Sequence, residues 1–159
     1  MKNLIKMVCT LMLCLILVLA LSATAFADGD VAIDETNFPD NNFRSYVSEN
    51  FDTDGDGALS EDERNDVTYI SCSYQEIASL KGIEYFTKLD YLNCGYNQLT
   101  SLDVSKNTVL RGLECYINQL TSLDVSKNTA LIELHCFDNQ LTSLDVSKNT
   151  TKQIGRAHV

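Results

Sequence analysis

The chain has 159 residues, with 22 acidic and 12 basic side chains and a formal net charge of −10. This length suits one domain of ordinary size. The negative charge argues against nucleic acid or an anionic membrane surface as a partner, because both would repel the protein.

Residues 1–27 have the pattern of a secretory signal peptide. Lys2 and Lys6 give a positive start, an apolar run follows over residues 11–21, and Ala25-Phe26-Ala27 offers a small-x-small cleavage site. We therefore expect a secreted or cell-surface protein. Removal of this segment takes the net charge from −10 to −12, because the segment holds two lysines and no acids.

A membrane anchor is the alternative for this segment, but its apolar run is short for a spanning helix, which needs about 20 residues. A lipoprotein attached through Cys14 is disfavoured, because the preceding Leu13 is too large for the usual lipobox. We expect no membrane span in the mature chain.

Residues 28–66 are predicted to form an N-terminal cap over the repeats that begin at residue 67. The segment begins irregular and then becomes helical, and Pro39 suits a first helical turn. One apolar stripe recurs at i, i+4 and i+8, formed by Phe43, Val47 and Phe51 with Tyr46 beside them.

Residues 52–63, DTDGDGALSEDE, match the twelve-residue calcium loop of an EF-hand position by position. Gly57 stands at position six, where the loop turns sharply. An acidic surface loop that matches by chance is the alternative, which the fixed offsets disfavour. Ca²⁺ is the predicted cofactor, and its predicted ligands are Asp52, Asp54, Asp56, the carbonyl of Ala58, Ser60 and Glu63.

The chain shows one such loop, whereas dockerin modules of cellulosomes and calmodulin-like sensors carry paired loops. A solitary loop favours a structural role, in which the ion holds the preceding helix against the first repeat. Ser60 to Glu63 also matches a capping box, which competes with calcium for the Glu63 carboxylate. We favour the metal.

The phrase LTSLDVSKNT begins at Leu99, Leu120 and Leu141, so the repeating unit is 21 residues long. Each unit follows the pattern L-x-x-L-x-C-x-x-N-x-L, and residues 67–89 form a divergent first copy with one extra residue. A period of 20 to 29 with this pattern resembles the leucine-rich repeat family. Residues 67–150 are therefore predicted to be leucine-rich repeats.

The resemblance and the residue pattern imply the same fold, an α/β-type solenoid with a parallel β-sheet. The alternation in L-x-C is strand periodicity, and stacked strands share one continuous core. The chain must turn at three recurring asparagines, Asn97, Asn118 and Asn139. Their side-chain amides can bond backbone groups that the hydrogen bonds between strands do not reach. The DVSKN segments carry turn formers on the convex side.

Four cysteines at one strand position are expected to form a buried ladder, namely Cys72, Cys94, Cys115 and Cys136. Secretion permits disulfides, but parallel Cβ vectors on neighbouring strands disfavour them. A linear ladder also cannot surround zinc tetrahedrally. We favour free thiols that pack as small apolar residues. Catalysis has little support, because His135 should point away from Cys136, its neighbour.

The outward strand positions form columns on the concave face of the sheet. One column holds Tyr91, Gly112 and Glu133, and its neighbours hold further acidic and aromatic residues. Such a surface suits protein or glycan contact, with ordinary solvated strand surface as the alternative. The candidate ligand-binding residues are Tyr91, Asn93, Glu114, Tyr116, Glu133, His135 and Phe137.

Residues 151–159 break the repeat, because Lys152 stands where the frame predicts an apolar residue. The ending IGRAHV, residues 154–159, is also what a common sequencing-adapter read translates to. We expect this tail to be an artefact and the natural array to continue. Resequencing of the locus that found IGRAHV encoded in the genome would contradict this.

The resemblance extends over residues 38–150. This part of the chain is similar in general plan to internalin-type surface proteins. It implies an extracellular, non-catalytic binding or adhesion module with a protein or glycan partner. The 21-residue unit and the calcium loop depart from internalins, so no specific receptor carries over. The alternative is a targeting module of a larger exported enzyme whose catalytic domain is missing. A cellulosome component is a third reading, which needs a second calcium loop.

Overall fold

The structure, a computed structural model, describes residues 26–149. Residues 1–25 of the predicted signal peptide, which spans residues 1–27, and the predicted artefactual tail over residues 151–159 lie outside this range. Within it, no helix combines the length and hydropathy that crossing a membrane would require.

The N-terminal unit, residues 26–66, contains two short strands and two helices. They are β1 (Val31–Ala32), α1 (Asn41–Phe51), β2 (Ala58–Leu59) and α2 (Glu61–Asp66). Strands β1 and β2 pair antiparallel, with Val31 opposite Leu59. The loop between α1 and α2 is therefore attached to the segment that precedes α1.

Helix α1 begins one residue after its N-cap, Asp40. The Asp40 carboxylate accepts hydrogen bonds from the backbone N–H groups of Asn42 and Phe43, both at 3.0 Å. The predicted place of Pro39 in the first helical turn is wrong, because the helix starts at Asn41 and an acidic N-cap satisfies its free N–H groups. Phe43 and the other residues of the apolar stripe face the core, as expected.

The same Asp40 carboxylate joins α1 to the first repeat. Its second oxygen accepts from the N–H groups of Ala78 and Ser79 at 2.8 and 3.1 Å. The ring of Phe51 packs on Phe86 with centroids 5.3 Å apart. One hydrophobic cluster therefore runs from the N-terminal unit through all the described repeats.

Within residues 26–149, four three-residue strands form one parallel sheet in chain order, as predicted. They are β3 (Tyr69–Ser71), β4 (Tyr91–Asn93), β5 (Gly112–Glu114) and β6 (Glu133–His135). A single-turn 3₁₀ helix, Ile83–Tyr85, occupies the longer first repeat. The central residue of each strand is buried and in register with its neighbours, namely Ile70, Leu92, Leu113 and Leu134.

An asparagine ladder continues the stacking where the strands end. The Asn118 side-chain amide donates to the carbonyls of Cys94 and Cys115 at 3.0 and 3.1 Å. Its oxygen accepts from the N–H of Leu99 at 2.9 Å. Asn97 and Asn139 make the equivalent bonds in their own repeats. Each asparagine thus ties its repeat to the one before it.

A second asparagine ladder runs through the return segments. The Asn128 side-chain amide donates to the carbonyls of Val104 and Asn107, both at 2.9 Å, and Asn107 and Asn149 bond in the same way. These asparagines were expected only as turn formers on the convex side. They are instead buried, and each amide satisfies two backbone carbonyls of the preceding repeat.

Replacement of Asn118 by Ala should lower the free energy of unfolding by about 2–4 kcal/mol. The buried N–H of Leu99 loses its partner, and the carbonyls of Cys94 and Cys115 each lose one of two amide donors. Urea unfolding followed by circular dichroism measures this loss. The control is Gln119→Ala at the exposed neighbouring position, which should change stability by less than about 0.5 kcal/mol. Equal stability of the two variants would contradict a stabilising role for the ladder.

Candidate functional site

The loop that connects α1 and α2 wraps its backbone around Asp52. One Asp52 carboxylate oxygen accepts from the N–H groups of Gly55 and Asp56 at 2.8 and 3.1 Å, and the other accepts from Gly57 at 3.1 Å. Gly55 and Gly57 have φ values of 73° and 87°. Such left-handed conformations favour glycine and allow the tight turn.

Three of the predicted calcium ligands lie together in this loop. Carboxylate oxygens of Asp52, Asp54 and Glu63 are all within 4.8 Å of one another. The Asp56 carboxylate lies outside this group and accepts from the N–H of Ala58 at 2.8 Å. A set made only of oxygen donors fits the chemistry of a hard cation such as calcium.

Glu63 forms the capping box that the sequence offered as a competing role. Its Oε2 accepts from the N–H and hydroxyl of Ser60, both at 2.9 Å. Its Oε1 accepts from the N–H and hydroxyl of Thr53, both at 2.7 Å. Burial raises the pKa of Glu63, but these hydrogen bonds together outweigh it and lower the pKa to about 2. The carboxylate is therefore ionised at neutral pH.

A cavity of about 480 Å³ lies between this loop and the first repeat. The loop contributes acidic and hydroxyl groups, and the start of the sheet contributes an aromatic ring. Its lining includes Thr53, Asp54, Ser60, Glu63, Thr68 and Tyr69. The acidic loop and the sheet surface are therefore contiguous.

The outward residues of β3–β6, here called the sheet face, stand in the predicted columns. The Tyr91 ring lies over Gly112, where a Cβ would overlap it. Across this glycine the Tyr91 hydroxyl donates to Oε1 of Glu114 at 2.5 Å, and the Asn93 amide donates to Oε2 at 2.7 Å. Burial, followed by the bond to Glu114, raises the pKa of Tyr91.

Glu114 is the centre of this polar network, with 16% of its side chain exposed. Nδ1 of His135 lies 3.5 Å from Oε1 of Glu114, and Nε2 lies 3.6 Å from Oε1 of Glu133. The structure thus brings together five of the predicted ligand-binding residues, with one carboxylate held in a fixed position by its neighbours.

The two remaining predicted residues, Tyr116 and Phe137, belong to a row of rings just beyond the carboxyl ends of the strands. We call Tyr74, Tyr96, Tyr116 and Phe137 the aromatic row. Tyr74 stacks on Tyr96 with centroids 4.0 Å apart, and Tyr116 stacks on Phe137 at 4.9 Å. An edge contact of 5.4 Å between Tyr96 and Tyr116 joins the two stacks.

Sequence reasoning missed the first two members of this row. Tyr74 is 65% exposed and Tyr96 is 38% exposed. They stand one position after the column of Tyr116 and Phe137, so a search along that column alone overlooks them. Their shared position relative to Cys72 and Cys94 was the available signal.

The backbone is left-handed at the same point of every described repeat. Tyr74, Tyr96, Ile117 and Asp138 have φ values of 58°, 53°, 52° and 54°. This conformation costs about 1–3 kcal/mol for a residue other than glycine. The N–H groups of Tyr96 and Ile117 bond the carbonyls of Tyr116 and Phe137, both at 3.0 Å. Backbone hydrogen bonds to the next repeat therefore stabilise the strained turn.

The four repeat cysteines are buried and free. Burial raises the pKa of the Cys72 thiol to about 12 and raises the pKa of Cys94, Cys115 and Cys136 as well. A buried thiol that stays protonated is a poor nucleophile. The ladder therefore contributes to packing.

No protein-family model matches the chain. Internalin J of Listeria monocytogenes serotype 4b (strain F2365) is 44% identical over 71 residues, which are 45% of this chain and 8% of that protein. The solved functional domain of InlJ from Listeria monocytogenes, which includes a cysteine ladder, matches with a TM-score of 0.69 and 40% identity. That match covers 76% of this chain and 26% of the InlJ chain.

The solved internalin InlF from Listeria monocytogenes strain 4b F2365 matches with a TM-score of 0.66 and 27% identity, over 80% of this chain and 38% of that one. The chain thus spans well under half the length of these relatives. Over the part that matches, its fold is similar to the leucine-rich repeat solenoid of internalins.

The buried thiols should resist alkylation in the folded chain, because they are protonated and inaccessible. With iodoacetamide at neutral pH, Cys94 and Cys115 should react at least about a hundredfold more slowly than a cysteine introduced at exposed Thr108. Peptide mapping by mass spectrometry reads each site separately. In urea, all of these sites should label at similar rates, whereas fast native labelling of Cys94 would contradict the buried ladder.

Proposed function

We propose that the chain is an extracellular, non-catalytic binding module of an internalin-like protein, with a structural calcium site. Its ligand is a protein or glycan that contacts the sheet face and the aromatic row. The similarity to internalins and the signal-peptide pattern of residues 1–27 support this proposal.

The proposed binding role rests on the geometry of the sheet face. Tyr91 and Asn93 fix both oxygens of Glu114, and stacked rings extend from one repeat to the next. Aromatic side chains that are already ordered lose little entropy on contact, and tyrosine is enriched among the residues that dominate binding energy. A rigid surface of this kind suits recognition.

The chemistry of the repeats supports a non-catalytic role. The four described thiols are buried with a raised pKa, and the imidazole of His135 contacts the carboxylates of Glu114 and Glu133. Nucleophilic catalysis needs a nucleophile that a base can reach and activate. The cysteine ladder does not offer this arrangement.

Calcium would be held by the loop over residues 52–63. Its positive charge would offset the mutual repulsion of the loop carboxylates and would join α1 to α2 through oxygen ligands from both ends of the loop. The residues that would hold the ion are Asp52, Asp54, Asp56, the carbonyl of Ala58, Ser60 and Glu63. Extracellular modules of this type bind at roughly 0.1–1 mM, so the site would be filled outside a cell.

Loss of the two exposed tyrosines should weaken binding to surfaces. The double variant Tyr74→Asn/Tyr96→Asn removes two rings while asparagine tolerates the positive φ at both positions. We expect at least a roughly tenfold loss of fluorescent chain bound to cultured epithelial cells or purified bacterial cell walls, measured by cytometry or sedimentation. The control is Val109→Asn, which changes an exposed apolar residue outside the sheet face. Equal binding by both variants would contradict the proposal.

Calcium should raise the thermal unfolding midpoint of the chain. With about 10 mM calcium and a dissociation constant of 0.1–1 mM, the free energy of unfolding should be about 1.4–2.7 kcal/mol higher than in the presence of a chelator. We expect a shift of about 5–10 °C in differential scanning calorimetry.

The variant Glu63→Gln should abolish that shift, because glutamine retains the capping box but loses the bidentate carboxylate. Glu61→Gln, on the same helix but outside the set of predicted ligands, should retain it. A calcium shift that survives in Glu63→Gln would place the ion elsewhere, and no shift in the unmodified chain would remove the calcium site from the proposal.

A further inference from the structure

We propose that the sheet face binds a basic protein segment, in which lysine or arginine side chains meet Glu114 and Glu133. This inference rests on the proposed binding function and names the chemical class of its ligand. Its starting point is the distribution of charge around the repeats.

The sheet face carries acidic but no fully basic side chains. Its eight outward positions hold the carboxylates of Glu114 and Glu133, together with tyrosine, serine, asparagine, glycine and His135. The exposed Asp138 follows β6. Within residues 26–149, no lysine or arginine occupies an outward position of β3–β6. This side of the repeats therefore has a negative potential.

The lysines of the repeats lie in the return segments instead, and all of them are exposed. They are Lys81, Lys88, Lys106, Lys127 and Lys148. Arg111, which directly precedes β5, has its Nε 3.9 Å from a carboxylate oxygen of Asp90. The backbone carbonyl of Arg111 accepts from the N–H of Glu133 at 3.0 Å, so Arg111 is the basic residue beside the sheet face, and its guanidinium faces Asp90. The lysines lie in the return segments, and a ligand on the outward strand positions meets mostly acidic charge.

The two carboxylates are arranged to accept a cation. Tyr91 and Asn93, which are neutral donors, orient Glu114, while 48% of the Glu133 side chain is exposed to solvent. A guanidinium is planar and can bond a carboxylate through two parallel N–H groups. It can also lie against an aromatic ring, which adds a cation–π attraction.

The aromatic row favours a protein over a glycan. Sugars stack on the flat faces of rings, but Tyr116 and Phe137 are parallel within 7°, and Tyr74 and Tyr96 within 16°. Each ring of a stacked pair therefore has one of its two faces covered by its partner, which leaves fewer flat faces for a sugar. An acidic glycan would in addition be repelled by Glu114, Glu133 and Asp138.

The size of the surface suggests a short extended segment. Four strands spaced about 4.8 Å apart span about 15 Å, which an extended peptide crosses in about five residues. A peptide of about six residues that alternates arginine with serine is therefore a suitable probe. The same peptide with glutamine in place of arginine is its uncharged control.

The test measures binding of both peptides to the full chain by isothermal titration calorimetry at low ionic strength. We expect saturable binding of the arginine peptide and none of the glutamine peptide. The double variant Glu133→Gln/Asp138→Asn should weaken binding about three- to tenfold. The matched control is Asp124→Asn/Asp145→Asn, which removes the same charge from exposed turns of the return segments and should leave affinity within about twofold.

Equal weakening in both double variants would overturn the proposal, because it would show attraction to overall negative charge. Saturable binding of maltohexaose, a neutral glycan, that is lost in Tyr74→Asn/Tyr96→Asn but kept in Glu133→Gln/Asp138→Asn would also overturn it. If that tyrosine variant loses surface binding while the arginine peptide does not bind, the proposed binding function stands and the ligand class is wrong.

Discussion

The side-chain amide of Asn118, with its counterparts in neighbouring repeats, bonds backbone groups where the strand ladder ends. Each strand has only three residues, so the sheet alone satisfies few N–H and carbonyl groups in a unit of 21 residues. Buried backbone groups without partners would cost more than such short strands contribute. The amides fix the distance between repeats, and the positions of the sheet face and the aromatic row follow from that distance.

The N-terminal unit completes the core at the first repeat and also borders the proposed binding surface. Asp40 begins α1 with one carboxylate oxygen and holds the turn at Ala78 and Ser79 with the other. The acidic loop that follows α1 shares a cavity of about 480 Å³ with Tyr69, at the edge of the sheet face. An ion in that loop would therefore act on stability and on the shape of one end of the binding surface.

The repeat itself produces the separation of charge. A residue that recurs every 21 positions returns to the same side of the solenoid, so Lys106, Lys127 and Lys148 occupy one row of turns. The strand positions are not constrained to repeat in this way, and there the acids Glu114 and Glu133 occur. One surface can vary to suit a ligand while the recurring phrase maintains the core and the turns.

The sequence by itself determined the period, the parallel register and the columns that hold Tyr91, Glu114 and Glu133, because identical units stacked in line place equivalent residues side by side. It also indicated the buried cysteines and suggested the calcium loop, which stays a prediction. Only the tertiary structure decided that Tyr91 crosses Gly112 to reach Glu114 and that Asn128 is buried. These features depend on side-chain direction and on the space that a glycine leaves between strands, and periodicity encodes neither.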